Sequence, residues 1–177
     1  MKKRFSVLLV TIIASVSWGG FSLASPFNES EMIVYRSNQS KASIFVFTDI
    51  DCGYCRKLHK EIPSLIASGV EVHYLPFPRA GIGSKSYKKF VSVYCSVDKQ
   101  KALDLAKNGV NIPDRKCENP VKKVYLAAKK TGIRGTPAIF TKNGKKLGGY
   151  RSARALTKDL GVPFVAASTE KLKVYSP

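Results

Sequence analysis

Ile44-Phe45-Val46-Phe47-Thr48-Asp49-Ile50-Asp51-Cys52-Gly53-Tyr54-Cys55 is the stretch on which the reading of this chain turns. The run 44–48 is continuous, apolar and rich in β-type residues, which suits a buried central strand. It leads directly into two cysteines that open a helical pattern. An exposed cysteine at a helix start meets unpaired backbone N–H groups and the positive end of the helix dipole, and both favour thiolate over thiol. Cys52 is therefore the candidate nucleophile, and Cys55, on the first helical turn beside it, can close a disulfide or resolve a mixed one. The same spacing is also half of a zinc site. Cys95 and Cys117 have 21 residues between them and form no second C-x-x-C, so redox chemistry is the better reading, with no metal and no cofactor expected.

Working outward, Leu58, Ile62, Leu65 and Ile66 fall on one face at helical spacing. Pro63 interrupts that pattern by removing a backbone hydrogen bond and crowding the preceding turn, which predicts a break near residues 59–63. After Gly69, Val70 to Leu75 alternates as a second strand, and the strand–helix–strand order with a short link implies a parallel pair with a right-handed crossover. Residues 84–108 read as two helical pieces. A third helix is marked by Asn119 as N-cap, Pro120 at the first helical position, the stripe Val121, Val124, Tyr125 and Ala128, and Gly132 as terminator. Pro137 to Thr141 and Lys146 to Tyr150 flank Asn143-Gly144, which signals a hairpin, and 153–160 forms a last amphipathic helix. Residues 25–41 are a polar lead-in with one apolar patch at Met32 to Tyr35, readable as an edge strand. The sum is β-α-β, a helical insertion, then β-β-α: an α/β, thioredoxin-like fold with a helical insertion over residues 42–163, followed by a C-terminal tail at 164–177.

The chain opens Met1-Lys2-Lys3-Arg4, continues with largely apolar residues from Phe5 to Val16, and reaches Ser22-Leu23-Ala24. This is the pattern of a secretory signal peptide cleaved near Ala24. A membrane anchor would need roughly 18 to 20 consecutive apolar residues, more than are present, so the mature chain is not expected to be membrane-embedded. Export to an oxidising compartment, the periplasm, is where an even cysteine count reads as disulfides. About 150 residues then remain, enough for one domain with one core. The formal charge of +18 falls to +15 without Lys2, Lys3 and Arg4. Such a balance allows nucleic acid, anionic membranes or acidic clients as partners. The lysines are scattered, however, as Lys88-Lys89, Lys122-Lys123, Lys129-Lys130 and Lys145-Lys146 without aromatic platforms. A solvated basic surface and no nucleic-acid partner are expected.

Phe47 to Cys55 followed by Lys57-Leu58-His59 resembles the active-site segment of the periplasmic disulfide isomerases of the DsbC/DsbG family. Tyr74-Leu75-Pro76-Phe77-Pro78-Arg79, Val93-Tyr94-Cys95 and Gly135-Thr136-Pro137-Ala138 are similar to further segments of that family in the same order, so the likeness runs from about Glu31 to Leu160. The resemblance implies a thiol–disulfide oxidoreductase acting on disulfide-containing client proteins, in which Cys52 attacks and Cys55 resolves. It implies that Thr136-Pro137 is a cis-proline loop facing the cysteines, able to pair with an extended client segment. A cis X-Pro bond costs only about 0.5–1 kcal/mol over trans, so a fold can select it. Gly53 and Tyr54, between the cysteines, join that loop as substrate-binding candidates. Cys95 and Cys117 match the family's structural disulfide. The residues alone leave a second redox pair open for them, weakened because neither opens a C-x-x-C helix.

His59 lies on the helical face of Cys55, where it can tune the thiols, although a partly exposed helix residue is the plainer expectation. His73 carries no signal. Asp49 and Asp51 would oppose a thiolate at Cys52 unless they cap the helix. Thioredoxins carry a buried acid six residues before the first cysteine, where this chain has Val46, so an internal proton acceptor is missing there. Family members also carry an N-terminal dimerisation domain, whereas fewer than 20 residues separate Ala24 from the first strand. A monomer is therefore expected. Isomerisation or reduction would need a DsbD-type membrane reductase. The alternatives are a net oxidase served by a DsbB-type oxidant, and a basic client-binding module whose thiols are incidental.

Overall fold

The apolar run 44–48 forms the centre of a five-stranded sheet, and the rest of the chain is arranged to cover its two faces. The computed structural model describes residues 27–168; the expected signal peptide and the end of the expected tail lie outside them. In chain order the elements are a 3₁₀ turn at Glu29–Glu31, β1 (Ile33–Tyr35), β2 (Ala42–Thr48), α1 (Gly53–His59), α2 (Ile62–Ala67), β3 (Val70–Pro76), α3 (Lys85–Tyr94), α4 (Lys99–Lys107), α5 (Val121–Lys130), β4 (Ala138–Thr141), β5 (Lys146–Gly148) and α6 (Ala153–Asp159). The sheet order is β1-β3-β2-β4-β5. β2 and β3 are parallel, and every other neighbouring pair is antiparallel. The fold is therefore the thioredoxin-like α/β arrangement with α3 and α4 inserted between its halves.

Side-chain alternation along β2 divides the core. Ile44 and Val46 are fully buried with Leu58 of α1, Ile62 and Leu65 of α2, Phe90 and Val93 of α3, Leu103 of α4 and Leu156 of α6. Phe47 points the other way, into a second cluster with Leu75, Val124, Ala128 and Ala138. The apolar patch at 33–35 is the edge strand β1, paired with β3 through Ile33↔Tyr74 and Tyr35↔Val72. Residues beyond 163 run along α2, where Val165 N–H donates to Ser68 Oγ (2.8 Å) and Ala167 N–H to Ser64 Oγ (3.2 Å).

The breaks follow local chemistry. The helix after Cys52 is interrupted at Lys60 and Glu61, and Pro63 sits in the first turn of α2, where its missing N–H costs nothing. α5 begins one residue later than the pattern indicates. Pro120 holds the N-cap position, and Asn119 still serves the helix start by accepting from Val121 N–H at 3.3 Å. The β4–β5 turn closes with Gly144 N–H donating to Thr141 O (3.0 Å) and Thr141 N–H to Lys145 O (2.9 Å). Only Gly144, at φ +81°, adopts a left-handed conformation there, so this is the longer hairpin turn with a glycine bulge.

Cys95 follows α3 and Cys117 precedes α5; they are disulfide-bonded across 22 residues of sequence and thereby pin the inserted helices. On the chain-entropy account, opening a loop of that size costs about 3 kcal/mol. The double variant C95A/C117A is accordingly expected to lose about that much stability in urea unfolding, with its Cys52 and Cys55 thiols still reactive in the folded state.

Candidate active site

β2 ends at Thr48, and three residues turn the chain so that Cys52 occupies the N-cap of α1, with extended backbone (φ −83°, ψ 122°). Its carbonyl accepts Arg56 N–H at 3.0 Å, the first bond of the helix. Cys55 lies on the first turn and is fully buried, whereas Cys52 retains 3% exposure; both are free thiols. Because β4 pairs antiparallel with β2 through Phe47↔Ala138, the loop before β4 reaches back over the cysteines. The Thr136-Pro137 peptide in that loop is cis, and Thr136 O accepts from the Cys52 thiol at 3.3 Å.

Burial alone would raise the Cys52 thiol. Hydrogen bonding by the Thr136 side chain, by the Cys55 backbone N–H and by the Cys55 side chain, together with the charge of Arg79, outweighs it and holds Cys52 below the ordinary thiol range. Arg79 is brought there by Asp49, which is 3% exposed. The Asp49 carboxylate accepts from Asp51 N–H (2.9 Å), Arg79 N–H (2.9 Å), Arg79 Nε (3.2 Å) and Ser86 Oγ. These partners overcome the desolvation that would raise its pKa and leave it lowered. Neither aspartate caps α1, contrary to the sequence expectation, since no side chain caps that helix. Asp51 instead pairs with Arg56 (3.2 Å) and Lys89. Both carboxylates near Cys52 are thus neutralised by cations rather than by the helix start.

Cys55 behaves oppositely, because burial pushes its thiol up. The largest opposing influence is the charge of Lys107, followed by the Asp49 N–H (3.5 Å from Sγ) and the Thr136 and Thr48 side chains. Lys107, at the end of α4, is 1% exposed and went unnoticed in the sequence. Its Nζ donates to Thr48 Oγ1 at 2.8 Å and to Asp49 O at 3.4 Å. Val46 is buried in the apolar core, as its side chain requires. His59 corrects another expectation, for it is buried at 1% exposure rather than partly exposed. Its Nε2 lies 3.0 Å from Asp104 Oδ1, and burial lowers its pKa to about 4, so it is neutral at pH 7 and turned toward α4.

Gly53 opens α1 with free space around its Cα. Tyr54 is 65% exposed and its ring lies 6.2 Å from that of Tyr150. A groove lined by Arg134, Gly135, Thr136, Pro137, Gly148 and Gly149 runs beside the loop. The four substrate-binding candidates therefore rim the two sulfurs. No group of three or more potential ligand side chains suited to a metal ion exists among the described residues. No helix among them is long and apolar enough to cross a membrane.

A thioredoxin-like domain family matches residues 29–161. The chain is 39% identical over 132 residues to the thiol:disulfide interchange protein DsbC of Escherichia coli K12, a match covering 75% of this chain and 56% of that protein. It is 41% identical over 128 residues to DsbC of Salmonella typhimurium, covering 72% and 54%. The chain thus spans little more than half the length of these relatives. Among solved structures, a disulfide interchange protein from Neisseria gonorrhoeae superposes with a TM-score of 0.68 at 22% identity, covering 85% of this chain and all of that one, which shows the shared fold.

The electrostatics give a pH profile. A depressed Cys52 pKa means the thiolate persists as pH falls, and reactivity disappears only below the ordinary thiol range. Alkylation by iodoacetamide should show one thiol titrating below that range, and Arg79→Gln should move its midpoint upward.

Proposed function

We propose that this chain, which belongs to the thioredoxin-like domain family, is a periplasmic thiol–disulfide oxidoreductase acting chiefly as a disulfide isomerase or reductase on exported proteins. The observation that carries this reading is the pairing of a stabilised Cys52 with a buried Cys55 directly beneath the Thr136-Pro137 loop. The Cys52 thiolate attacks a client disulfide, forming a Cys52–client bond and releasing the client's other sulfur as a thiolate. The client then rearranges, or Cys55 attacks Cys52 Sγ and releases the reduced client. Thr136, Pro137, Gly53 and Tyr54 hold an extended client segment beside the sulfurs. The Cys95–Cys117 bond is structural in this scheme. The signal peptide, the periplasmic location, a monomeric state and resupply of electrons by a DsbD-type reductase belong to the same proposal.

One observation favours a net oxidase as the second reading. Cationic groups beside both sulfurs, Arg79 and Lys107, favour the reduced pair over the disulfide, and a stabilised reduced form makes a dithiol a stronger oxidant.

Cys52→Ser is expected to abolish reduction of insulin disulfides and reshuffling of a scrambled substrate, while Cys55→Ser should accumulate a mixed disulfide visible on non-reducing gels. A C52S variant that kept full biological activity would leave only the client-binding module. Alkylation trapping in cells separates the two redox directions. A mainly reduced Cys52/Cys55 pair matches isomerase or reductase, and a mainly oxidised pair matches the oxidase.

A further inference from the structure

Lys107 is the buried charge that the chemistry above leaves unused. An ammonium in the core is costly unless it is paired and hydrogen-bonded. This one is held on four sides. It occupies the last turn of α4, where the helix dipole favours a cation. Its Nζ bonds Thr48 Oγ1 and Asp49 O. It also lies 5.2 Å from the centre of the Tyr74 ring. Thr48 and Asp49 also bear on Cys55: the Asp49 N–H lies 3.5 Å from its Sγ, and the Thr48 hydroxyl favours its thiolate. The lysine and the resolving sulfur thus share a two-residue bridge at the end of β2, in a core whose strand position 46 carries valine.

We propose that Lys107 is the proton partner of Cys55, exchanging a proton with its thiol through the Thr48 hydroxyl and holding the resulting thiolate against the Lys107 ammonium. The proposal rests on the oxidoreductase reading and assigns its resolving step. The Cys55 S–H proton passes by way of Thr48 to the neutral Lys107 amine, giving ammonium and thiolate. The thiolate attacks Cys52 Sγ in the mixed disulfide. The Cys55–Cys52 bond forms as the Cys52–client bond breaks, and the client sulfur leaves with that bond's electron pair and takes a proton from water. Two electrons have then passed from the dithiol to the client's disulfide.

The surroundings suit this exchange. Burial lowers Lys107 to about 8 and raises Cys55, so the amine loses its ordinary advantage over a thiol in holding the proton. The groups facing Lys107 are Cys52, Cys55, Arg56 and His59 from α1 and its start, Asp49 from the preceding turn, Tyr74 from β3 and Asp104 on its own helix. Among the charges that raise its pKa, Cys55 comes first, ahead of Asp49 and Cys52. His59 is neutral at pH 7 and adds no competing charge. The attacking species is the thiolate, so resolution should quicken as pH rises through the pair's titration and then level off.

The test is single-turnover resolution of the Cys52–glutathione mixed disulfide, followed by stopped flow from pH 6 to pH 9. In Lys107→Met, checked for native circular dichroism, the rate at pH 7 should fall about a hundredfold, the low end of the roughly 10²–10⁴-fold that positioned proton transfer supplies. The rise with pH should also move to higher pH, with formation of the mixed disulfide at Cys52 little changed. A folded variant with wild-type rate and pH midpoint overturns the proposal. A wild-type protein that forms no mixed disulfide overturns the oxidoreductase reading itself. A second measurement needs no variant. In lysine-labelled wild-type protein, the NMR titration midpoint of Lys107 should be lower in the disulfide form than in the dithiol form, because oxidation removes the Cys55 charge that raises it. Equal midpoints overturn the proposal.

Discussion

The Asp49 carboxylate is the constraint from which the site is assembled. Its two oxygens tie together the turn after β2, the loop after β3 and the start of α3, through Asp51, Arg79 and Ser86. A buried carboxylate that loses one of its hydrogen-bond donors loses roughly 1.5–3 kcal/mol, the range for bonds to a charged group, so each of these segments is held in place by the others. Its pKa is lowered by folding, and the stabilisation it gives is therefore present above its ordinary value of 3.8 and disappears as pH falls through the folded value. The same bonds place Arg79 beside Cys52. Position 49 thus sets the loop geometry and, at one remove, the ionisation of Cys52.

Backbone pairing brings the other half of the site. Thr136 stands 84 residues from Cys52 in sequence, and it arrives because β4 lies against β2 in a register that puts Ala138 opposite Phe47. The β-branched and aromatic residues that fix this register are buried on both faces of the sheet, and a slip of one residue would turn each of them to the wrong side. Core packing and the geometry around the two cysteines are therefore one requirement here.

This explains what was legible in the sequence. Period-two and helical patterns gave the strands, the parallel β2–β3 pair, the β4–β5 hairpin and every α-helix, since those patterns record which face each residue buries; the pairing of β4 with β2 and of β1 with β3 is long-range and left no local mark. The C-x-x-C spacing showed the dithiol because its chemistry depends on adjacent residues. Lys107 was not legible, because a lysine ending an amphipathic helix looks like any solvated cation until tertiary packing closes over it. His59 misled for the same reason, its partly buried partner Asp104 lying on another helix. Asp49 and Asp51 looked like caps because a cap is a local feature, whereas their cations come from α1, α3 and the loop after β3.

Each sulfur consequently has its own cation, and the two cations differ in kind. Arg79 is half-exposed at 48% and stays charged throughout the working range, so its hold on Cys52 is independent of pH but open to screening by salt. Lys107 is sealed from solvent and lowered by burial to about 8, so its hold on Cys55 is nearly immune to salt but is lost as pH rises through that value. In the proposed scheme, attack on a client and release of that client therefore answer to different solution variables. Raising ionic strength weakens the first step with little effect on the second, and lowering pH suppresses the second while Cys52 is still ionised. Between the lowered Cys52 range and the raised Cys55 range, the mixed disulfide of that scheme is longer-lived, which gives a bound client time to rearrange before Cys55 releases it.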